Sequence, residues 1–146
     1  MAATRDEVRA WRAILALGVG LLCAGHAAAQ GPRQSLVQQT ARAWLAVTDR
    51  DDAAQSWESA GKQFRNAITT EQWARSLHKV RPPLGATMER ALLSTKFRKS
   101  IPGAPDGDYA LVVFRSRFAN KALGEETVVL QLEADGAWRV IGYTIR

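Results

Sequence analysis

The sequence predicts an α+β fold in which three N-terminal helices pack on a four-stranded antiparallel sheet. Apolar residues recur at helical spacing in the first part of the chain, and from Ala86 onwards they alternate with a period of two. Short turn sequences separate the alternating segments. Helices followed by strands with short connections are typical of a helical layer on one face of an antiparallel meander.

The first two predicted helices follow from spaced apolar residues and from a polar start signal between them. One stripe on the first helix is formed by Val37, Ala41, Trp44, Leu45 and Thr48. Residues 49–52 then offer aspartate side chains to the free N–H groups of a helix start. The second helix is predicted from Ala53 to Phe64, with Trp57 and Phe64 nearly buried and Gly61 as its one weak helix former.

A capping box predicts the start of the third helix, because Thr69 is followed three residues later by Gln72. We expect residues 82–83, both proline, to end this helix, since proline cannot donate a backbone hydrogen bond. The apolar face of the helix consists of Trp73, Leu77 and Val80.

Four strands are predicted after residue 86. The first buries Ala91, Leu93, Thr95 and Phe97, which leaves Arg90 on its opposite face. The second runs from Tyr109 to Phe118 and buries Ala110, Val112, Phe114 and Phe118. Residues 120–124 form a loop, and the third strand then places on one face Glu126, Val128, Leu130 and Leu132. The pair at 135–136, Asp-Gly, predicts a hairpin turn into a last strand from Trp138 to Ile145.

The first 29 residues are typical of a bacterial export signal. Three arginines precede an uncharged apolar run from Ala13 to Ala24, and small residues at 27–29 suit a cleavage site. About twelve apolar residues are too few for a membrane-spanning helix, which needs about 20. We therefore expect cleavage near Ala29, a flexible leader at 30–34 and a single α+β domain at 35–146, located in the periplasm and without a transmembrane segment.

The composition of the mature chain excludes several kinds of chemistry. Its only cysteine, Cys23, would be removed with the signal, which excludes disulfides, thiolate nucleophiles and cysteine-ligated metals. It would keep 17 Lys and Arg against 12 Asp and Glu, and this basic balance favours contact with anionic envelope surfaces. The basic residues are dispersed and no nucleic-acid motif occurs, so we expect no nucleic-acid partner. No cofactor or metal is expected, since the corresponding motifs are missing.

Several short segments of the sequence resemble those of a known family. They are Ser56-Trp57 with Ala60 and Phe64, Trp73 with Leu77, the segments 81–85 and 102–107 with Tyr109, and the ending 135–143. Together they resemble the bacterial exported family known as domain of unknown function 4019, over about residues 36–146. The resemblance implies a small secreted or periplasmic domain related to the cystatin-like and nuclear-transport-factor-two-like cones, in which a curved sheet wraps helices around a pocket. It implies no activity.

Three residues are candidates for catalysis. His78 is the one histidine expected in the mature chain, lies beside the apolar stripe of the third helix, and is expected to face solvent or act as a general base. Its candidate partners are Asp49 and Tyr109. A pocket lined by these three would suit a small cone-type isomerase, dehydratase or hydrolase.

A second set of candidates concerns binding. Arg81, Arg90, Arg115 and Arg117 could form an anion-recognising surface on the open sheet face, because guanidinium groups suit carboxylates and phosphates. The tryptophans at 44, 57 and 73 are expected in the core, whereas Trp138 starts an edge-prone strand and could have a surface role. Without a catalytic motif, the sequence favours a non-enzymatic binding or interaction module of the cell envelope, with anionic components or a periplasmic protein as partners.

Overall fold

The computed structural model describes the backbone of residues 24–146 and the side chains of residues 31–146. Within this part, four helices precede four strands: α1 (Ala24–Asp49), α2 (Ala53–Glu58), α3 (Lys62–Ala67), α4 (Thr70–Leu84), β1 (Thr87–Arg98), β2 (Tyr109–Phe118), β3 (Lys121–Leu132) and β4 (Trp138–Ile145). The strands form one antiparallel sheet in the order β1-β2-β3-β4. The predicted α+β class and four-stranded sheet are confirmed, but the predicted number of helices is wrong.

The export signal predicted for residues 1–29 lies largely outside the described residues and stays a prediction. Helix α1 includes residues 30–34, for which a flexible leader is predicted, so the structure gives them helical backbone. Pro32 lies inside this helix, where it cannot donate the backbone hydrogen bond of a helical residue. The compact unit described below spans Gln34–Arg146.

The second predicted helix is divided because Gly61 leaves the helical path. Its backbone N–H donates to the carbonyl of Val140 in β4 at 2.8 Å, which separates α2 from α3. A Cβ atom at this position would lie 2.9 Å from Cγ2 of Ile141, so only glycine allows this approach. The break therefore attaches the helical layer to the edge strand β4.

The ends of the other elements also show how local chemistry sets boundaries. The capping box of Thr69 and Gln72 begins α4 as predicted. This helix continues through both prolines to Leu84 and ends at Gly85, whose φ of 74° favours glycine. The prolines lie in its last turn, so they do not end it as predicted. The loop predicted at 120–124 is also shorter, because β3 begins at Lys121.

An aromatic cluster fills the space between the helices and the inner face of the sheet. The ring of Trp73 lies 5.1 Å from Phe64 and 5.8 Å from Trp44, and Trp44 lies 5.5 Å from Tyr143. Both indole N–H groups donate to buried Ser56, that of Trp44 to its carbonyl and that of Trp73 to its hydroxyl, each at 2.8 Å. The helical apolar stripes therefore meet in a packed core with satisfied polar groups.

Two tryptophans differ from their predicted positions. Trp57 is only half-buried at the edge of the core, and its indole N–H donates to the carbonyl of Ile68 at 2.8 Å. Trp138, a candidate for a surface role, is buried and packs its ring 6.0 Å from Phe97. It begins β4 on the inner face, where Val140 follows it.

An irregularity in β1 reverses the faces of half the strand. Pairing with β2 shifts between Leu92 and Ser94, which leaves Leu93 as an extra residue. Beyond this bulge Thr95 and Phe97 point inward as predicted, but before it Ala91 is exposed and Arg90 points inward. One inserted residue has this effect because side chains alternate between the two faces of a strand.

Candidate functional site

Four charged side chains meet on the inner face of the sheet and form what we call the interior ion cluster: Asp49, Arg81, Arg90 and Glu126. Two carboxylates oppose two guanidinium groups, so the cluster is neutral as a set. Each member comes from a different element, namely the end of α1, the last turn of α4, β1 and β3. The cluster therefore ties two helices, α1 and α4, to two strands, β1 and β3.

Arg90 is the central cation of the cluster. Its Nε donates to Oε2 of Glu126 at 2.6 Å, and its Nη1 donates to Oδ2 of Asp49 at 2.9 Å. Its Nη2 lies within hydrogen-bonding distance of both carboxylates, 2.9 Å from Asp49 and 3.1 Å from Glu126. Burial alone would lower the pKa of Arg90, but hydrogen bonds and the charges of both carboxylates raise it above its ordinary value. This guanidinium is therefore held between two acids.

Arg81 completes the positive half of the cluster from α4. Its Nη2 donates to Asp49 and also to the hydroxyl of Thr87 at 3.0 Å, and its guanidinium lies 4.9 Å from the centre of the Phe118 ring. Only 4% of its side chain is exposed, and Nε and Nη1 have no hydrogen-bond partner among the described residues. Nη1 lies 3.7 Å from Oε1 of Glu126, so charge attraction acts there without a hydrogen bond.

Both acids of the cluster accept hydrogen bonds from arginine side chains and from neutral hydroxyl donors. Burial alone would raise the pKa of Asp49, but the hydrogen bond and charge of Arg90 and the charge of Arg81 hold it below its ordinary value. Glu126 is fully buried and accepts further hydrogen bonds from Ser116 and from the hydroxyl of Tyr143, the latter at 2.8 Å. Each carboxylate thus has several donors, as buried charges require.

The structure separates the three candidate catalytic residues. Asp49 belongs to the interior ion cluster, beside the end of β1 that begins with Thr87. Tyr109 lies at the opposite end of the β1–β2 pair, is fully buried, and donates its hydroxyl to the carbonyl of Pro105 at 2.5 Å. His78 is 76% exposed, and its Nδ1 lies 2.7 Å from Oδ2 of Asp51. No pair of the three is in contact, so they do not form a common site.

The four candidate arginines also fall into two groups. Arg81 and Arg90, predicted on the open sheet face, lie inside the interior ion cluster instead. Arg115 and Arg117 are exposed on the outer sheet face as predicted, and Arg117 lies 3.6 Å from Glu89. The predicted basic surface is therefore smaller than the sequence suggests.

A shallow cleft lies on this outer face. Its volume is about 340 Å³, and its walls are Leu93, Arg115, Leu123, Gly124, Glu125 and Arg146. The two leucines are 44% and 67% exposed. Exposed apolar side chains thus stand beside two cations and one carboxylate on a face that helices do not cover.

Sequence reasoning did not recognise Glu126 as part of a site. The sequence does contain an indication of its role, because Glu126 alternates with Val128 and Leu130 along β3. This spacing places its carboxylate on the buried face of the strand. Arg81 follows Leu77 by four residues in the same way and takes the inward position predicted for Val80, which is 38% exposed. In this protein, a charged residue that occurs at the same strand or helix spacing as buried apolar residues therefore indicates a buried ion pair.

Tyr143, which donates its hydroxyl to Glu126, makes the stability of the fold decrease at alkaline pH. Burial, the charge of Glu126 and the hydrogen bond to Glu126 raise the pKa of Tyr143 above 10, although Arg81 and Arg90 oppose this. A raised pKa in the folded state means that the contribution to stability is complete below the unfolded pKa of about 10. Above it, the contribution falls by about 1.4 kcal/mol per pH unit.

We therefore expect Tyr143→Phe to be less sensitive to alkali than the unsubstituted protein. Its free energy of unfolding should be about 1 kcal/mol lower at neutral pH, where a hydrogen bond is lost. This difference should shrink as the pH rises above about 10. Urea unfolding at a series of pH values measures both curves, and parallel curves would contradict the prediction.

Two further features, a metal site and a membrane-spanning helix, were sought among the described residues. Among them, no three His, Cys, Asp or Glu side chains are grouped so that they could hold a metal ion. None of the described helices combines the length and apolar character needed to span a membrane.

Comparison with known proteins gives a family and a fold. A solved structure from Catenulispora acidiphila, described as a 2.5 Å structure, is similar with a TM-score of 0.53 at 14% identity, over 81% of this chain and 93% of that one. At this identity the likeness shows the fold alone. No curated protein matches the chain. The family described as protein of unknown function (DUF4019) matches residues 40–143, most of the chain, and the protein therefore belongs to the DUF4019 family.

Proposed function

We propose that the protein is a non-enzymatic binding module of the bacterial cell envelope that uses the outer face of its sheet. The observation that carries this proposal is the outer cleft, where Arg115 and Arg146 stand beside exposed Leu93 and Leu123. Cations next to apolar side chains suit a ligand that is anionic and partly apolar. The proposed location is the periplasm, which rests on the export signal of the sequence.

The packed interior of the domain favours a binding function over a catalytic one. The aromatic cluster and the interior ion cluster occupy the space in which a cone-type enzyme would hold its substrate. The charges that the sequence offers for chemistry are neutralised by one another. We propose a shallow variant of the cystatin-like or cone-like fold, in which α1 lies against the inner face of the sheet through Asp49 and Trp44.

The proposed ligand is an anionic envelope component, either a phospholipid surface or an anionic glycan. Binding to phosphatidylglycerol vesicles, to phosphatidylcholine vesicles and to an anionic polysaccharide should be compared by cosedimentation and thermal shift. We expect Arg115→Ala to weaken binding about fivefold, since one basic residue near an anionic surface contributes about 1 kcal/mol. Binding should also weaken between about 0.1 M and about 1 M salt, because the charges are screened.

The matched control is Lys62→Ala, which removes the same charge from the exposed start of α3. If the outer cleft binds, this variant should bind like the unsubstituted protein. An equal loss for Lys62→Ala and Arg115→Ala would show that only net charge acts, which contradicts the proposal.

The alternative is a cone-type isomerase, dehydratase or hydrolase. The structure supports it less, because its candidates Asp49, His78 and Tyr109 are separate and bonded to other groups. The same screen should include small carbonyl compounds, with His78→Ala and Asp49→Asn in any assay that responds. Turnover that disappears in either variant while the fold is intact would overturn the proposed binding function.

A further inference from the structure

The C-terminal half of β4 forms an edge of the sheet that no other element covers among the described residues. Strand β4 is last in the order of the described sheet, and only its first part is covered, by the hydrogen bond from Gly61 to Val140. From Gly142 to the end of the strand no such cover exists among the described residues. An uncovered edge carries backbone donors and acceptors that another strand can use.

The direction of these backbone groups follows from the pairing with β3. Arg146 and Glu125 exchange two backbone hydrogen bonds, 3.0 and 3.1 Å long, so the N–H and C=O of Arg146 point towards β3. Because this direction alternates along a strand, the N–H and C=O groups of Tyr143 and Ile145 point outward. No helix or loop among the described residues forms a backbone hydrogen bond with these four groups.

An apolar groove runs beside this edge, between β4 and α4. Its volume is about 270 Å³, and its apolar walls are Trp73, Leu77, Val80, Tyr143 and Ile145. Tyr143 and Ile145 stand opposite Val128 and Glu126, so their side chains share the inner face. A strand added to β4 would therefore place alternate side chains over this groove.

The rim of the groove is cationic. Ser76 lines both the groove and a neighbouring depression of about 460 Å³, which Arg75 and Lys79 also line. Arg146 follows Ile145, the last residue of this edge, and its side chain also lines the outer cleft. Lys79 and Arg146 form no salt bridge among the described residues. The charge on the rim favours an occupant with carboxylates and disfavours a second copy of this chain, whose edge carries the same cations.

From these observations we infer that the edge of β4 and the groove beside α4 bind an extended segment of another protein by adding it to the sheet. The segment carries apolar side chains at alternate positions and carboxylates near its ends. Its backbone bonds to Tyr143 and Ile145. Its apolar side chains cover Val80 and the exposed part of Ile145, and its carboxylates approach Lys79 and Arg146. This surface shares Arg146 with the cleft that carries the proposed function, and its other residues are different.

The test uses two labelled peptides, Asp-Val-Thr-Val-Thr-Val-Asp and its counterpart with lysine at both ends. The acidic peptide should bind the purified protein more tightly than the basic one in fluorescence anisotropy. Amide hydrogen exchange at Tyr143 and Ile145 should slow about tenfold when the acidic peptide is bound, because their N–H groups become bonded. Val80→Asp should weaken binding about tenfold, since an apolar contact is replaced by a charge that repels the peptide.

The matched control is Leu36→Asp, which makes the same kind of change at a leucine of α1 that is 49% exposed and lines neither surface. It should leave peptide binding unchanged, and Val80→Asp should leave binding to anionic vesicles unchanged, so the two proposals can fail separately. Absence of binding at millimolar peptide, or equal binding of both peptides, would overturn the inference. Protection of Tyr143 and Ile145 in a dimer without peptide would also overturn it, because a second copy would then occupy the edge.

Discussion

Replacing Glu126 with glutamine is expected to lower the free energy of unfolding by about 3–5 kcal/mol, the range for breaking a buried ion pair. Glutamine keeps the size of the side chain but removes its charge. Arg81 and Arg90 then face Asp49 alone, in a region where Glu126 is fully buried and only 10% of Arg90 is exposed. An unpaired charge lowers the free energy of unfolding far more in this buried region than at the surface.

The control for this experiment is the neighbouring Glu125→Gln, whose side chain is exposed on the outer face. Its effect should stay within about 0.5 kcal/mol, as for most surface substitutions. Urea unfolding at neutral pH compares both variants with the unsubstituted protein. Equal small losses for Glu125→Gln and Glu126→Gln would show that the interior ion cluster does not stabilise the fold.

The second large effect concerns the aromatic cluster. Trp73→Ala should cost about 3–5 kcal/mol, because it removes a large ring from the core and leaves a cavity. The ring is 7% exposed, packs against Phe64 and Trp44, and donates its N–H to Ser56. Its removal also leaves the hydroxyl of Ser56 without this donor.

Trp57→Ala is the matched comparison, because it removes the same ring from the half-buried edge of the core. We expect a clearly smaller loss of stability, since part of this ring already contacts water. Thermal or urea unfolding of both variants gives the ranking. A loss for Trp57→Ala that equals or exceeds the loss for Trp73→Ala would contradict the assignment of the core.

Much of the fold is predictable because local patterns and tertiary packing agree. The α1 stripe from Val37 to Thr48 is buried as predicted, and the inward residues of β2 are buried as well. The start of α4 and the glycine turn at Gly136, whose φ is 81°, also follow from local chemistry. In these places each residue has one conformation that suits both its neighbours in sequence and the core.

The candidate site is less predictable because it depends on distant contacts. Strict alternation in β1 places Arg90 outside, and nothing in the local sequence marks the bulge at Leu93 that turns it inward. Helical spacing allows either Val80 or Arg81 to face inward after Leu77, and the acids contributed by α1 and β3 decide in favour of Arg81. Gly61 leaves its helix for a carbonyl of β4, which lies far away in sequence.

We propose that the interior ion cluster supports the fold while the outer face of the sheet binds the ligand. Vesicle binding by the double variant Arg90→Met, Glu126→Leu separates these two roles. Replacing a buried ion pair by apolar residues is often neutral for stability, so the variant should fold. We expect it to bind phosphatidylglycerol vesicles as the unsubstituted protein does, whereas Arg115→Ala should bind more weakly. If the folded double variant lost binding while Arg115→Ala kept it, the interior ion cluster and not the outer face would be the binding site.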